Sequence, residues 1–457
     1  MEYEYIYNWE DHCVQIDKQK SILRKKSEYE YKKIKKEDCK CNFPLSQITS
    51  NDIDMQLANV KHIGFEVIDS CNLHCKYCAY GDLYNNYDIR KGQKIDIERA
   101  KKLIDFLMNK LSSKANKAIT NDVYISFYGG EPLLNFDFIQ KMVDYTQKRQ
   151  SKYVRFHYMM TTNAVYLKKY ISFLSLYDFS LTISLDGSKE NNMHRKFINN
   201  RPSYNIVYNN LKYIQENYLE YFKKRVGFNA VIHNLNNPQE VFQFIYHEFG
   251  KIPYLSGLNP TGVNPEKRKK FKDLSATKPF EGNKDVMDEM KKILGLEFGE
   301  LKQLQRFIFQ YSGNCYDNYN ELLVAYKKIH HLPTATCMPF SKRIFMTVNN
   351  KILPCERIGH QYALGEVLNI DVKINNEQIA NRYNKYYNTL QEQCNRCYNK
   401  LHCTQCLFSI DDLDKQPVCK QFADKQSFNK YIRRNMDILS EKPYLYRRIM
   451  KEILIQK

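Results

Sequence analysis

Three cysteines, Cys71, Cys75 and Cys78, stand close together in the segment CNLHCKYC. Three thiolates on one tight loop can cap three corners of an iron–sulfur cubane, because soft sulfur ligands suit iron and close spacing asks for little ordered backbone. No fourth cysteine lies nearby, so one iron would stay open to a substrate or cofactor. The same residues could instead hold zinc, completed by His74 or a remote group. A second set follows far downstream: Cys337 and Cys355, then Cys394, Cys397, Cys403, Cys406 and Cys419. Seven thiols in so short a stretch exceed what packing requires, and two clustered metal sites, iron–sulfur or zinc, would account for them and staple a small domain. Cys13, Cys39 and Cys41 read as composition or buried thiols.

Short β-rich runs alternating with helical patterns position the first set. The strands expected are His62 to Asp69, Asp122 to Tyr128, Val154 to Thr162, Phe179 to Leu185, Arg225 to Ile232 and Ile252 to Leu258. Between them, stretches such as Ile97 to Leu111, Phe136 to Arg149 and Tyr204 to Tyr218 place apolar residues three and four apart. Six βα units with right-handed crossovers curl into a partial (β/α)6 barrel of the TIM type, an α/β fold whose chemistry sits at the carboxyl ends of the strands. Unusual residues occupy those ends: Ser70-Cys71, Gly129-Gly130-Glu131-Pro132, Thr161-Thr162-Asn163 and Ser184-Leu185-Asp186-Gly187. The domain order expected is an appendage at 1–58, the barrel core at 59–260, a helical linker at 261–336, a Cys-rich domain at 337–424 and a basic amphipathic helix from 425.

The chain's 457 residues can bury a large interior, and 14 cysteines without a signal-like start or any run of about 18 apolar residues fit a reducing cytoplasm and metal ligation rather than disulfides. A net charge of +19 favours an anionic partner. The basic runs at Lys32 to Lys36 and Lys267 to Lys272 read as solvated surface, without any nucleic-acid-binding signature beside them. Nothing in the sequence accounts for its 36 tyrosines.

CxxxCxxC with the aromatic Tyr77 before its last cysteine resembles the radical S-adenosylmethionine (radical SAM) superfamily. The resemblance implies a [4Fe-4S] cluster on Cys71, Cys75 and Cys78 whose open iron chelates S-adenosylmethionine, and a one-electron cleavage that yields a 5′-deoxyadenosyl radical. Gly129-Gly130-Glu131-Pro132 resembles the family's GGEP motif, whose backbone approaches the methionine amino group, with Glu131 suited to a cationic amine. Thr162, Asn163, Ser184, Asp186 and Arg195 stand where polar side chains could hold the ribose and carboxylate, while Tyr77 is the aromatic beside the cluster. SLDG followed by HR resembles peptide-modifying members, although His194 replaces the Asp often found before that arginine. The later cysteines resemble a SPASM domain with two auxiliary [4Fe-4S] clusters, the first on Cys337, Cys355 and Cys406 and the second on Cys394, Cys397, Cys403 and Cys419. Cys315 is a candidate to complete the first. The family's last pair is usually CxxxC, whereas Cys403 and Cys406 are CxxC, and Asn350 replaces an expected glycine.

The implied function is a maturase of ribosomally made (RiPP) precursor peptides, forming a thioether or carbon–carbon crosslink. Its implied partners are a peptide or protein substrate and a one-electron donor such as flavodoxin or ferredoxin, with no membrane. The alternatives are a sulfatase-maturating enzyme that makes formylglycine and, from another class, a zinc-bearing nucleic-acid-binding protein.

Overall fold

The computed structural model describes residues 3–5, 23–25, 47–118, 120–278, 298–311, 338–400, 403–410 and 413–450. They fall into two compact units: Thr49–Asp288 with Pro339–Ile379, and Met1–Ile48 with Glu289–Met338 and Ala380–Lys457. The stretch expected to form one Cys-rich domain, 337–424, is therefore divided between them. At the chain start, β1 (Tyr3–Tyr5) and β2 (Leu23–Lys25) pair antiparallel.

The first unit opens with α1 (Ser50–Ala58), begun by a Thr49/Asp52 capping box that satisfies two orphan backbone donors. Six parallel strands follow: β3 (His62–Ile68), β4 (Asp122–Gly129), β5 (Arg155–Thr162), β6 (Ser180–Ser184), β7 (Val226–Ile232) and β8 (Tyr254–Gly257). Each lies within two residues of its expected span at either end. The crossovers between β3 and β8 carry α2 (Ile97–Leu111), α3 (Phe136–Gln147), α4 (Leu167–Leu176), α5 (Tyr204–Asn217), α6 (Leu219–Arg225) and α7 (Pro238–Phe249), and α8 (Arg268–Ser275) follows β8. Asp96 caps α2, whose buried Ala100, Leu103, Ile104, Leu107 and Leu111 recur at helical spacing and pin it to the sheet.

The strands stand side by side in chain order, β3 to β8, as right-handed βα repetition dictates. Their faces differ. Val123, Ile125 and Phe127 of β4 are buried on the helix side, where Phe127 meets Phe138 of α3 at 5.8 to 6.4 Å together with Phe65 of β3. The alternate residues of β4 are less covered, and Tyr124 is 41% exposed. Fully covered parallel sheets bury both faces, so the alternation shows that one face of β4 is less covered than the other.

The sheet continues past β3 into the later part of the chain, which the sequence reading did not foresee. β9 (Ile344–Met346) pairs parallel with β3, Ile63 opposite Ile344, and β10 (Lys351–Leu353), β11 (Gly365–Val367) and β12 (Val372–Ile374) extend it antiparallel. Ten strands form one sheet, ordered β12-β11-β10-β9-β3-β4-β5-β6-β7-β8.

In the second unit, α9 (Phe298–Tyr311) packs on α11 (Lys425–Glu441) through Phe307 and Tyr311 against Phe428 and Tyr431. The 20-residue α10 (Asn376–Asn395) delivers Cys394 at its last turn, and α12 (Tyr444–Ile449) ends the described chain. No helix among the described residues is long and apolar enough to cross a membrane.

Candidate active site

Cys71, Cys75 and Cys78 lie on the loop leaving β3. Turns from Cys78 N to the Cys75 carbonyl (3.1 Å) and from Gly81 N to the Cys78 carbonyl (2.9 Å) wind it tightly. The segment after β6 holds it from outside: His74 N donates to the Lys196 carbonyl at 2.7 Å and Lys76 N to that of His194 at 3.3 Å.

The glycine pair after β4 holds it from beneath. Gly130 N donates to the Ile68 carbonyl (2.8 Å) and Glu131 N to that of Ser70 (3.0 Å). A Cβ on Gly130 would lie 1.9 Å from the Ser70 carbonyl oxygen, and one on Gly129, at φ +138°, 2.3 Å from that of Ile68. Only a residue without Cβ lets the two strand ends approach this closely. The glycines thus have a structural duty to the cysteine loop besides any to a bound amine.

Glu131 is 1% exposed. One carboxylate oxygen accepts from Thr162 Oγ1 (2.6 Å) and Leu133 N (3.2 Å), the other from Asn163 N (2.8 Å). It ties the end of β4 to that of β5, and burial pushes its pKa up to about 6 against those three donors. Asn163 in turn donates to Asn72 Oδ1 at 2.8 Å and lies 3.7 Å from Cys71 Sγ. Ser184 closes β6, half-buried, opposite Asn229 of β7.

Asp186 is fully buried and gathers the most contacts. It accepts from Val231 N (2.9 Å) and the Tyr77 hydroxyl, lies 3.5 Å from His233 Nε2, and its carbonyl accepts from Asn236. Arg195 Nη1 donates to the Tyr77 hydroxyl at 3.1 Å. Burial opposes ionisation of Asp186, but His233, Arg195 and Tyr77 outweigh it and hold the carboxyl below its ordinary range.

The three thiols share one electrostatic environment. Burial pushes Cys71 up to about 11 and Cys75 up to about 12, Cys78 adds to both, and Arg195 pulls both down. Metal binding would displace the thiol protons, and three sulfurs on one tight loop are the soft ligands that iron takes. The donor set therefore fits an iron–sulfur cluster. The buried amide nitrogens of Asn72 and Asn192, without a hydrogen-bond partner, fit a ligand that brings acceptors.

Beyond Cys78 the chain forms a strap across the mouth of the sheet. Near β8, Asn264 N donates to the Leu83 carbonyl (2.8 Å) and Asn85 N to that of Gly262 (3.2 Å); near β10, Asp88 binds Lys351 (2.7 Å) and Asn349 (2.9 Å). Tyr87 and Tyr128 on this rim are close enough to both Cys78 and Cys355 to feel either charge. Burial pushes the Cys355 thiol up to about 12, and Arg357 N donates to its sulfur at 3.4 Å.

In the other unit burial, with the charges of Cys403, Cys397 and Cys419 added, pushes the Cys394 thiol up to about 12, although no three of these groups stand in a metal-binding arrangement among the described residues. That is the set assigned from sequence to the second auxiliary cluster. Cys406 opens the single turn Leu407–Ser409. Cys337 and Cys315, like Cys13, Cys39 and Cys41, lie outside the described residues.

Sequence reasoning missed His233, Asn72, Asn192 and the strap. His233 ends β7 just as Cys71, Gly130, Asn163 and Asp186 follow earlier strands, so the strand-end rule would have found it.

Residues 65–245 match the family model of the Radical SAM superfamily. A cysteine-type anaerobic sulfatase-maturating enzyme of Clostridium novyi is 26% identical over 44% of this chain and 54% of its own length. The radical SAM cyclopropyl synthase TigE of Paramaledivibacter caminithermalis is 26% identical over 44% of this chain and 42% of its own. The chain thus spans about half the length of these curated relatives. Native anSMEcpe, solved with bound AdoMet and the Cp18Cys peptide, shares the fold at a TM-score of 0.51 and 17% identity, covering 83% of this chain and 99% of that one. Members of this superfamily use a [4Fe-4S] cluster and S-adenosylmethionine, and the segment that matches their model, residues 65–245, carries the three thiols of the β3 loop together with Gly130 and Arg195: this part of the chain is similar to a radical SAM domain.

Proposed function

We propose that the chain modifies a ribosomally made precursor peptide, taking a hydrogen atom from one of its residues and forming a thioether or carbon–carbon crosslink. The observation that carries the reading is the half-buried thiol triad on the loop at the carboxyl end of β3, braced by Gly130 and facing Asn163 and Arg195. Cys71, Cys75 and Cys78 would hold the cluster, and Arg195 the carboxylate of S-adenosylmethionine. The bound pair supplies one-electron cleavage of the sulfonium and a 5′-deoxyadenosyl radical able to take hydrogen from carbon.

The protein's own share is positional. Gly129 and Gly130 let the cysteine loop sit low against β4, Glu131 fixes the β4 and β5 ends, and Asn72, Asn163, Asn192 and Ser184 offer polar groups around the mouth. The strap from Gly81 to Lys91 narrows the approach and keeps water away from a radical. Cys394, Cys397, Cys403 and Cys419 would hold an auxiliary cluster. Such a centre could accept the electron left after bond formation. The electron that reduces the cluster at the triad would come from a flavodoxin- or ferredoxin-like protein.

A second reading, formylglycine formation at a Cys or Ser of a protein, is favoured by the likeness to sulfatase-maturating enzymes. Incubating the reconstituted enzyme with a Cys-containing candidate peptide separates the two by mass and labelling. A crosslink removes two hydrogens and blocks thiol alkylation, whereas formylglycine leaves an aldehyde that reacts with a hydrazide. A peptide unchanged while S-adenosylmethionine is cleaved only in its absence would count against both.

A further inference from the structure

Two histidines that hydrogen abstraction does not call upon are buried beside the cysteine loop. His233 is fully buried at the end of β7, and its ring lies stacked on Tyr77 at 5.2 Å and 23°. His194 meets the same tyrosine edge-on at 6.2 Å and His233 at 4.7 Å, and is itself held by Asn234 Oδ1 at 2.7 Å.

The hydrogen bonds fix where the His233 proton lies. Its Nδ1 accepts from Leu235 N at 3.2 Å, so the proton is on Nε2. Asn236 Nδ2, 3.3 Å from His233 Nε2, is spent on the carbonyls of Val231 (3.0 Å) and Asp186 (3.2 Å), so the charged oxygen facing the Nε2 proton is Asp186 Oδ2, 3.5 Å away. The same carboxylate oxygen accepts from Tyr77, whose oxygen accepts from Arg195. A chain of contacts therefore runs from the β7 end through Asp186 and Tyr77 to the guanidinium beside the thiols. An imidazole at 233 supplies both a flat face against Tyr77 and an N–H toward Asp186.

We infer that His233 is a positioning residue for S-adenosylmethionine: by backing Tyr77 and holding Asp186 it fixes the guanidinium of Arg195 for the ligand's carboxylate. The inference rests on the proposed role of Arg195.

Three variants test it: His233→Phe keeps the flat face without the donor, His233→Gln keeps a donor without the face, and Arg195→Gln removes the assigned carboxylate partner. S-adenosylmethionine affinity is measured by equilibrium dialysis on cluster-loaded, oxidised protein, which does not turn over. The EPR spectrum of the reduced cluster with and without S-adenosylmethionine, the iron content and the thermal midpoint are read on the same samples. Supporting-residue losses run from about tenfold upward, so His233→Phe should weaken binding about tenfold and blunt the EPR change on ligand addition. Iron content should stay at the wild-type level, and His233→Gln should recover most of the affinity. Wild-type affinity in His233→Phe with loss in Arg195→Gln would overturn the inference and leave the arginine assignment standing. Wild-type affinity in Arg195→Gln would overturn both. If His233→Phe also loses iron or stability, His233→Gln decides: recovery supports the hydrogen-bonded role, and an equal loss overturns it.

Discussion

Gly130→Ala is the most exacting test of how the fold holds the cysteine loop. The added methyl would sit 1.9 Å from the Ser70 carbonyl oxygen, 2.3 Å from its carbon and 2.9 Å from Cys71 N, all of them backbone atoms that no side-chain rotation can clear. Relief requires the start of the loop to lift by roughly 1 Å, and overpacking of this kind costs about 1–3 kcal/mol. A displacement of about 1 Å at a reacting centre is worth about 100-fold in rate. Anaerobically reconstituted Gly130→Ala should therefore stay folded yet make 5′-deoxyadenosine about 100-fold more slowly under dithionite, with less iron per chain. Gly250→Ala is the control, since Gly250 ends α7 at φ +65° with open space where its Cβ would go. It should cost about 1 kcal/mol of stability through backbone strain and leave iron and rate alone. Full iron and near wild-type rate in Gly130→Ala would refute the close-approach account.

Other outcomes follow from the same geometry. Cys71→Ala should abolish reductive cleavage of S-adenosylmethionine, and retained 5′-deoxyadenosine would contradict the site. Cys394→Ala should remove about four irons per chain, one cubane, while leaving peptide-independent cleavage measurable, because its thiol group is distinct from the triad. Glu131 is raised to about 6 by burial from an ordinary value of 4.5, so the protonated form favours the fold. Its contribution is complete below about pH 4.5 and lost as pH rises to about 6, a swing of about 2 kcal/mol. Denaturant midpoints between pH 5 and 8 should show the wild type losing ground to Glu131→Gln up to about pH 6.5 and then running parallel; a constant difference would show that Glu131 does not titrate there.

Strand ends were legible because period-two burial and the turn residues after each strand are local signals. Asp122 to Tyr128 and Arg225 to Ile232 emerged almost as read. The CxxxCxxC loop was legible for a stronger reason, since soft ligands at close spacing have few other uses. What escaped was long-range pairing. Nothing in IFM or KIL says that Ile344 will lie against Ile63, because three-residue strands carry no periodicity and their partner lies far away in sequence. The strap escaped for the same reason: Asp88 looks like any loop aspartate until Lys351 and Asn349 arrive beside it. The glycine pair was read for a ligand, whereas its sterics are dictated first by the neighbouring backbone.

Pairing of β9 with β3 makes Cys355 a passenger on the ladder that also carries Cys71. Their separation is then set by strand spacing and register rather than by the docking of a mobile module. Opening the gap between them would require breaking sheet hydrogen bonds. Amides of Phe345 and Phe65 should accordingly exchange with solvent only through cooperative opening of the core, at one common rate.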